Sequence, residues 1–557
     1  MTFALKPTAL LTATTALLAS PVWAQVTAPD AGRLLQQQQI APELPVQRSI
    51  ELQQVPQLLN KFAPGGASVL ITDITFVDNS RLSREQLLAA LPPEALTQPL
   101  DLSGIQSLAD AFSGIYRNAG YPFARVFVPA QKMKNGALTL QVVEGRYDQV
   151  TAKGEAATAA RAQGYLDAGL PSGAVIETAA LERTMLLIAD LPNMSTAPLM
   201  QPGDKQGTGN LVLNVDAPRR VSGEVGVDNH GNRYSGAYRT RASVQVDNPF
   251  IVGDQLQLSA SVSDEKTWLG SAAYSLPVGN SGLRSNTSVA HTYYELGKEF
   301  ASSQSNGTAD VLSSGLTYPL IRSQQFNLNL STQWQYKRLN DRQDAVNSDT
   351  QKHSNSVPVT ASFDVRDQVL GSSAVTFGSL TYTRGKLILD RTLRSTDATT
   401  AQTAGHFGKL NLDVARLQGL PADFSLYTKA SAQWSPAGKN LDSSEGFGLG
   451  GPTGVRAYPV GEGYGDAGWM TQIELRYSLG SVAPYAFYDT GSVKIKSNPW
   501  DNATNSRTLA GAGVGVRYQY DALSIDTAAA WRTAGGAPQS DSRNTTPTVW
   551  ANVGYKF

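Results

Sequence analysis

The chain has 557 residues, with 46 Lys or Arg balanced by 46 Asp or Glu, so its formal net charge is zero. A chain of this length favours more than one domain, and the balanced charge does not favour binding to nucleic acid. The sequence contains no cysteine, which excludes disulfides, thiolate nucleophiles and cysteine-based zinc sites.

The first residues, 1–24, have the layout of a secretory signal peptide. Lys6 precedes the apolar stretch 10–19, and the small residues Val22 and Ala24 stand just before a plausible cleavage point. We therefore expect export from the cytoplasm. No later segment reaches the roughly eighteen consecutive apolar residues of a membrane helix, so insertion into a membrane would have to use strands.

Residues 25–67 are predicted to form a short polar helix and a proline-containing linker. Asp30 is placed to cap a helix over residues 31–39, whose large apolar side chains are Leu34 and Leu35. Such a helix has almost no face to bury in a core. Two interpretations therefore stay open: a solvated tail and a helix inside a water-lined cavity.

Two α/β modules are predicted next, over residues 68–147 and 148–218. The first has the order strand, helix, helix, strand, strand, and its last two strands, near 121–129 and 137–143, form a hairpin. The second module repeats this order more loosely. Because an edge strand has unpaired amides that can accept an extended peptide, the hairpin is our candidate surface for a bound partner, with Tyr121, Val126, Val128, Leu138 and Leu140.

The remaining residues, 219–557, alternate between apolar and polar side chains, as strands with two unlike faces do. These runs approach the ten or so residues that cross a bilayer at a tilt, whereas average strands have about 5 to 6 residues. We predict a transmembrane antiparallel β-barrel of about 16 strands. In the last strand the apolar face comprises Val549, Ala551, Val553, Tyr555 and Phe557.

A glycine-rich segment interrupts the barrel region and contains Val455-Arg456-Ala457-Tyr458. Its glycines 446, 448 and 451 match a dinucleotide-binding pattern, but no strand–turn–helix unit surrounds them. We therefore expect no nucleotide. A permanent cation such as Arg456 in a partly desolvated interior needs an acidic partner, and Asp489 is the candidate.

Taken together, these features resemble the two-partner secretion transporters, the haemolysin secretion and activation proteins of Gram-negative bacteria. The resemblance extends over residues 30–557. The residues that carry it are Gly120-Tyr121-Pro122 in the first module, Leu181-Glu182-Arg183 in the second, Asp228-Asn229, Asn248-Pro249 and Gly253-Asp254 in the first barrel hairpins, and Phe487-Tyr488-Asp489-Thr490-Gly491.

The resemblance implies that the modules are periplasmic POTRA domains and that segment 437–466 folds into the lumen. The motif carries glycine where this chain has Ala457, which would cost about 1 kcal/mol if that position needs a positive φ. It further implies a pore plugged by the polar helix. Independently of the resemblance, glycines alternate with apolar residues over 511–516, and their face would leave space in the lumen where a loop could dock. The residues concerned are Asp30, Arg33, Leu34 and Leu35 in the helix, and Gly511, Gly513 and Gly515 on the wall.

The function implied is that of a monomeric outer-membrane translocator. It would recognise the N-terminal secretion domain of a large adhesin, haemolysin or contact-dependent toxin and export it, with outer-membrane lipid around the barrel. The alternative is a barrel-assembly factor, although such factors usually have more periplasmic modules. The four histidines fit no metal or triad template, so we expect no enzyme, metal or cofactor.

Overall fold

The computed structural model describes residues 28–37, 44–48, 53–54, 65–92 and 96–557. The predicted signal peptide lies outside this part of the chain. Within it, no helix is long and apolar enough to cross a membrane.

Two short elements precede the modules. Helix α1 (Ala31–Gln37) begins where the sequence predicts, while the last two residues of the predicted helix lie outside the described residues. Strand β1 (Gln53–Gln54) was not expected in the linker.

The first module is a three-stranded sheet with the order β2-β4-β3, covered by two helices. Ser83 and Gln86 form the capping box at the first helix, and Asp101 caps the second through the Gly104 amide. The elements are β2 (Asp73–Val77), α2 (Arg84–Ala89), α3 (Leu102–Asn118), β3 (Arg125–Phe127) and β4 (Ala137–Val143).

The structure corrects the predicted partner-binding residues of this module. Val126, Leu138 and Leu140 are buried in its core, because alternate residues of a strand point to the same face and helix α3 covers that face. These three side chains cannot contact a partner. Tyr121 and Val128 pack at the margin of the core and stay half-buried.

The second module has a four-stranded sheet with the order β1-β6-β7-β5. The linker strand β1 pairs in parallel with β6, at Leu199 and Met200. The linker therefore occupies one edge of this sheet. The other elements are β5 (Arg146–Lys153), α4 (Ala156–Gly169), α5 (Thr178–Ala189), β6 (Ser195–Pro202) and β7 (Thr208–Asp216).

Sixteen antiparallel strands close into a barrel, which confirms the predicted architecture. Strands β19 and β20 form a separate two-stranded sheet inside it. In chain order the elements are β8 (Arg220–Asp228), β9 (Arg239–Asp247), β10 (Gln255–Ser263), β11 (Trp268–Pro277), β12 (Arg284–Glu295), β13 (Ser305–Arg322), β14 (Phe326–Gln343), β15 (Ser348–Asp367), β16 (Ala374–Leu389), α6 (Arg391–Thr399), β17 (Gly405–Gly419), β18 (Phe424–Trp434), β19 (Phe447–Gly448), β20 (Tyr464–Gly465), β21 (Ala467–Tyr477), β22 (Val482–Lys494), β23 (Ser506–Tyr520), β24 (Leu523–Ala534) and β25 (Thr548–Lys556).

The barrel wall is uneven in height. Strands β13, β14 and β15 have 18, 18 and 20 residues, whereas β8, β9 and β10 have 9 each. Because about ten tilted residues cross a bilayer, the longer strands extend beyond the lipid on the side remote from the modules.

The second module is joined to the near rim of the barrel. Arg322, at the end of β13, donates to both carboxylate oxygens of Asp190 at 2.6 and 2.8 Å. Arg48 of the linker contacts the same carboxylate at 3.1 Å. On helix α5, Arg183 donates to the Pro319 carbonyl at 2.7 Å, so the Leu-Glu-Arg motif of the sequence docks on the barrel.

Candidate functional site in the barrel lumen

The segment between β18 and β21 folds back into the barrel, and we call it the lumen loop (residues 435–466). Its base is pinned by the β19–β20 pair. Its tip, Val455 to Tyr458, is buried against the wall formed by β21 to β25.

Arg456 is the centre of the tip. Its Nε lies 2.8 Å from Asp489 Oδ2 and its Nη2 lies 2.7 Å from Asp489 Oδ1, a bidentate pair with a planar guanidinium. Its Nη1 donates to Glu474 Oε1 at 2.6 Å. The guanidinium also stacks over the Phe487 ring, 3.5 Å from its centroid. The structure thus brings Arg456 and Asp489 together and adds a second acid.

Strand alternation explains how the wall presents these groups. On β22, Asp489 and Phe487 face the lumen while Tyr488 is exposed on the outer face. Glu474 lies on β21 and is shared with Arg476 and Arg517. Glu474 was not predicted from the sequence, although its side chain faces the same side as Gln472, which pairs in register with Asp489.

The backbone of the tip is also held. The Trp550 indole donates to the Arg456 carbonyl at 2.8 Å, and Thr548 Oγ1 donates to the Ala457 carbonyl at 2.9 Å. The Tyr458 hydroxyl donates to the carbonyl of Ala534 at 2.7 Å. Strands β24 and β25 therefore hold the tip by hydrogen bonds next to the ion pair of Arg456 and Asp489.

Ala457 occupies its position without a positive φ, so the alanine carries no left-handed strain. Of the three predicted wall glycines, Gly511 lies against the loop, and a Cβ added there would overlap with the Ala457 side chain. Gly513 and Gly515 face the rings of Phe487 and Tyr485 instead. These two glycines make room for the aromatic side chains of β22, one of which supports Arg456.

Helix α1 lies inside the barrel, between the lumen loop and the wall. Leu34 is buried with Tyr294 and Leu339, near the ends of β12 and β14 remote from the modules. Leu35 packs at the margin of the same cluster, and the Arg33 guanidinium lies 5.4 Å from the centre of the Tyr464 ring.

Pro45 of the linker lies at the module-side end of the lumen. Arg366, close to the module-side end of β15, donates to the carbonyl of Pro45 at 3.1 Å. Helix and linker therefore occupy both ends of the lumen.

A cluster of lysines on the inner wall holds the helix and the loop base. Lys352 contacts Asp442 of the loop at 2.8 Å and Asp30 at 3.3 Å. Lys337 and Lys409 contact Glu445 of the loop at 2.7 and 2.9 Å. No sequence motif marks these lysines, since they stand on three different strands.

Further polar contacts join helix and loop directly. Ser443 Oγ donates to Asp30 Oδ2 at 2.5 Å, and Gln36 donates to the Ser444 carbonyl. A Cβ at Gly32 would overlap with Ser443 and Ser444, so the helix passes very close to the loop.

Asp30 and Glu445 are charged in spite of burial. Burial of the Asp30 carboxyl raises its pKa, but Lys352, Arg33 and hydrogen bonds from Ser443 and the Arg33 amide together lower it to about 2. Burial likewise opposes the ionisation of Glu445, and Lys337 and Lys409 lower its pKa to about 2. The contacts to the wall are therefore ion pairs at neutral pH.

Comparisons with known proteins agree with this architecture. Residues 207–518 match the family described as haemolysin secretion/activation protein ShlB/FhaC/HecB. The chain belongs to this family. Residues 69–145 match the POTRA domain of the ShlB type. The family is that of the two-partner secretion transporters, which confirms the resemblance.

Similar proteins include two kinds of transporter. The chain is 26% identical over 505 residues to the heme/hemopexin transporter protein HuxB of Haemophilus influenzae (strain 86-028NP), covering 88% of each chain. It is 25% identical over 493 residues to the outer membrane transporter CdiB of Escherichia coli, covering 85% of this chain and 80% of that one.

The fold is also that of solved structures. CdiB from Escherichia coli superposes with a TM-score of 0.70 at 23% identity, over 88% of this chain and 91% of that one. CdiB from Acinetobacter baumannii gives a TM-score of 0.64 at 18% identity, over 89% and 91%. The protein is thus an outer-membrane transporter that secretes a partner protein through its barrel, with its POTRA modules in the periplasm.

Proposed function

We propose that the protein exports one large partner protein in an unfolded state, as a monomer, and that helix α1 closes the resting pore. The observation that carries this proposal is the content of the lumen. The lumen of the closed sixteen-stranded barrel holds helix α1 and the lumen loop, and neither is part of a wall strand. Side-chain contacts that can be broken and remade hold both in place.

Family membership favours this proposal over the barrel-assembly alternative. The relatives whose names state a role are transporters. The cargo is accordingly a secreted protein such as an adhesin, a haemolysin, a contact-dependent toxin or a heme-carrier binding protein. The outer face of the barrel contacts outer-membrane lipid.

Recognition of the cargo falls to the modules. An extended segment from the cargo's N-terminal secretion domain can pair with an exposed sheet edge, and β2 and β3 are the edges of the first module. In the second module the linker strand β1 already pairs with β6. Cargo that pairs with β6 must displace the linker that leads to helix α1.

Energy for transport comes from the cargo, in this proposal, because folding outside the cell prevents its return. The contact between Arg366 and the Pro45 carbonyl supports transport of an unfolded cargo, since a short segment without helix or strand structure already lies in the lumen there.

The proposal is tested by capture and secretion of the protein encoded next to this one. Full-length protein in detergent should bind the N-terminal region of that neighbour, and the neighbour should reach the medium when both are expressed. Deleting residues 68–217 should abolish binding and secretion while the barrel still migrates as a heat-resistant species. Binding that survives the deletion would assign recognition to another part of the chain.

A further inference from the structure

A group of basic side chains lies on the outer surface of the barrel, on the neighbouring strands β14 to β17. We call it the basic cluster, and each member lies ten or more residues beyond the module-side end of its strand. Since about ten residues cross the bilayer, the cluster stands at the outer edge of the lipid. Its members are Arg338, His353, Arg384, Lys386 and His406.

The alternation of the strands fixes the direction of these side chains. Arg338 follows Lys337 and His353 follows Lys352, and both lysines point into the lumen, where they bind the loop. His406 precedes Phe407, which is buried on the inner side. Neighbouring residues of a strand point to opposite faces, so the basic cluster points away from the lumen.

Register brings the members close together. Arg338 is directly opposite His353, and Lys386 is directly opposite His406. Arg384 stands two residues from Lys386 on the same face. Opposite residues of an antiparallel pair have Cβ atoms about 4.5–5.5 Å apart. Arg338, Arg384 and Lys386 are cations at neutral pH, and a group of cations on one face attracts an anion.

The protein supplies little compensating charge here. Among the described residues, Arg384 and Lys386 take part in no ion pair, whereas Arg342, further along β14, contacts Asp349 at 3.4 Å. Asp310 is opposite Arg338, but its carboxylate lies 2.5 Å from His291 Nδ1. Arg338 itself has a 3.5 Å contact with the Gln351 amide oxygen.

Aromatic side chains mark the membrane boundary just below the cluster. Trp334 and Tyr382 are exposed on the outer face, and the ring of Tyr336 lies between those of Trp334 and His353, with centroids 6.4 and 6.1 Å away. Trp and Tyr concentrate where the lipid tails meet the headgroups. The basic cluster is therefore at the height of the outer-leaflet headgroups.

We propose that the basic cluster binds the phosphate group of a glycolipid in the outer leaflet. Arg338 on β14 and Arg384 on β16 present planar guanidinium groups that match phosphate oxygens, and Lys386, also on β16, adds a point charge. Basic pockets beside a lipid-facing surface bind anionic headgroups in this way. The acyl chains of the same molecule lie on the apolar band below, which includes Leu380 and Tyr382.

This site lies on the same strands whose inner face holds the loop and helix. Lys337 and Lys352 bind the lumen loop from positions adjacent to Arg338 and His353. A bound glycolipid therefore stabilises these strands from the outer face. Binding of the glycolipid does not depend on which cargo the barrel exports.

The test measures thermal unfolding of the full-length protein in detergent with added lipids. Diphosphorylated lipid A should raise the unfolding midpoint, because a ligand of the folded state stabilises it by mass action. Lipid A stripped of both phosphates should not, and neither should inorganic phosphate. Equal stabilisation by the stripped lipid or by free phosphate would overturn the proposal.

Variants locate the site. The triple variant Arg338→Gln, Arg384→Gln, Lys386→Gln should bind diphosphorylated lipid A at least tenfold more weakly. The matched control Arg342→Gln, Lys266→Gln, Arg543→Gln removes three exposed cations that face carboxylates, and it should bind like the unaltered protein. Unchanged binding by the first triple variant would refute the proposal. Should that variant fail to insert, Lys386→Gln alone, measured by lipid retention in native mass spectrometry, gives the same decision.

Discussion

The lumen loop and helix α1 share one cavity but are held there in different ways. The loop tip is buried, and Arg456 alone makes contacts of 2.6 to 2.8 Å with two carboxylates. Helix α1 has seven residues, too few to be stable without its surroundings. It is held by Leu34, by polar contacts at its first turn and by the contact of Gln36 with the Ser444 carbonyl.

This difference assigns the two parts to different steps of transport. Releasing the tip leaves a buried acid without its cation, which typically costs about 3–5 kcal/mol. Releasing α1 exposes one leucine and one ion pair to water, and both Asp30 and Lys352 can be solvated in an open pore. We therefore infer that the helix leaves readily and that the loop tip stays until the cargo arrives.

The largest expected effect comes from Arg456→Ala. Asp489 loses the cation that it pairs with, whereas Glu474 keeps Arg476 and Arg517. The tip should come away from the wall while the strand ladder keeps the barrel closed. We expect a heat-resistant, inserted barrel that exports little cargo, measured as cargo in the medium.

Two further variants sharpen that result. Arg456→Lys keeps the positive charge but loses the planar, bidentate guanidinium. Its secretion of cargo should therefore lie between that of the unaltered protein and that of Arg456→Ala. The double variant of Arg456→Ala with Asp489→Ala should secrete no less cargo than either single variant, as expected when the two residues contact each other. Additive losses would mean that the two residues act separately.

A second prediction concerns the fit between tip and wall. Gly511→Ala should displace the tip, because the new Cβ overlaps with that of Ala457, and secretion should fall. Adding Ala457→Gly removes the opposing Cβ and should restore it. Gly270→Ala is the matched control, since a Cβ there meets its nearest atom, in the Trp268 ring, at 3.8 Å. If Ala457→Gly does not restore secretion, the defect of Gly511→Ala arises from a change in the sheet and not from displacement of the tip.

Sequence reasoning predicted the barrel because every strand repeats one signal, the alternation of faces. It predicted Arg456 and Asp489 because each stands in a recognisable motif. Glu474 escaped because it looks like any other lumen residue until the register of β21 and β22 is known. The inner lysines escaped for the same reason, since Lys337, Lys352 and Lys409 become neighbours only when the four strands β14 to β17 are placed side by side.

The error in the first module has a different cause. Alternation divides the hairpin into two faces but does not say which face a partner meets. Val126, Leu138 and Leu140 are apolar, and apolar residues on alternate positions are more often core than binding surface. The edge strand β1 could not have been predicted, because two residues carry no periodicity.

A third prediction removes the helix. Deleting residues 25–40 should open the pore and increase the single-channel conductance in planar bilayers, while secretion is largely retained. The loop tip keeps all its wall contacts in this variant. An unchanged conductance would show that α1 does not close the pore at rest.

A fourth and smaller effect is expected from the inner lysines. Lys352→Gln weakens contacts with both Asp30 and Asp442, so the helix should leave the lumen more often. The mean conductance should rise, but by less than after deletion of residues 25–40. Lys409→Gln is the control, because Lys409 contacts the loop through Glu445 and not the helix. If both variants open the pore equally, the helix depends on the loop base as a whole and not on Lys352.

The smallest effect is expected from pH. Burial raises the pKa of Asp30, but Lys352, Arg33 and hydrogen bonds together lower it from 3.8 to about 2. Its charged contacts are therefore complete above about pH 4 and are lost only as the pH falls through about 2. The groups that face it are Lys352 and Asp442 from the wall and loop, Asp341 from β14, and Arg33 on its own helix. Lowering the pH from 7 to 5 should therefore leave the resting conductance unchanged in planar bilayers. Pore opening in this range would mean that another group releases the helix, and the comparison with Lys352→Gln would show whether that group acts through the same contact.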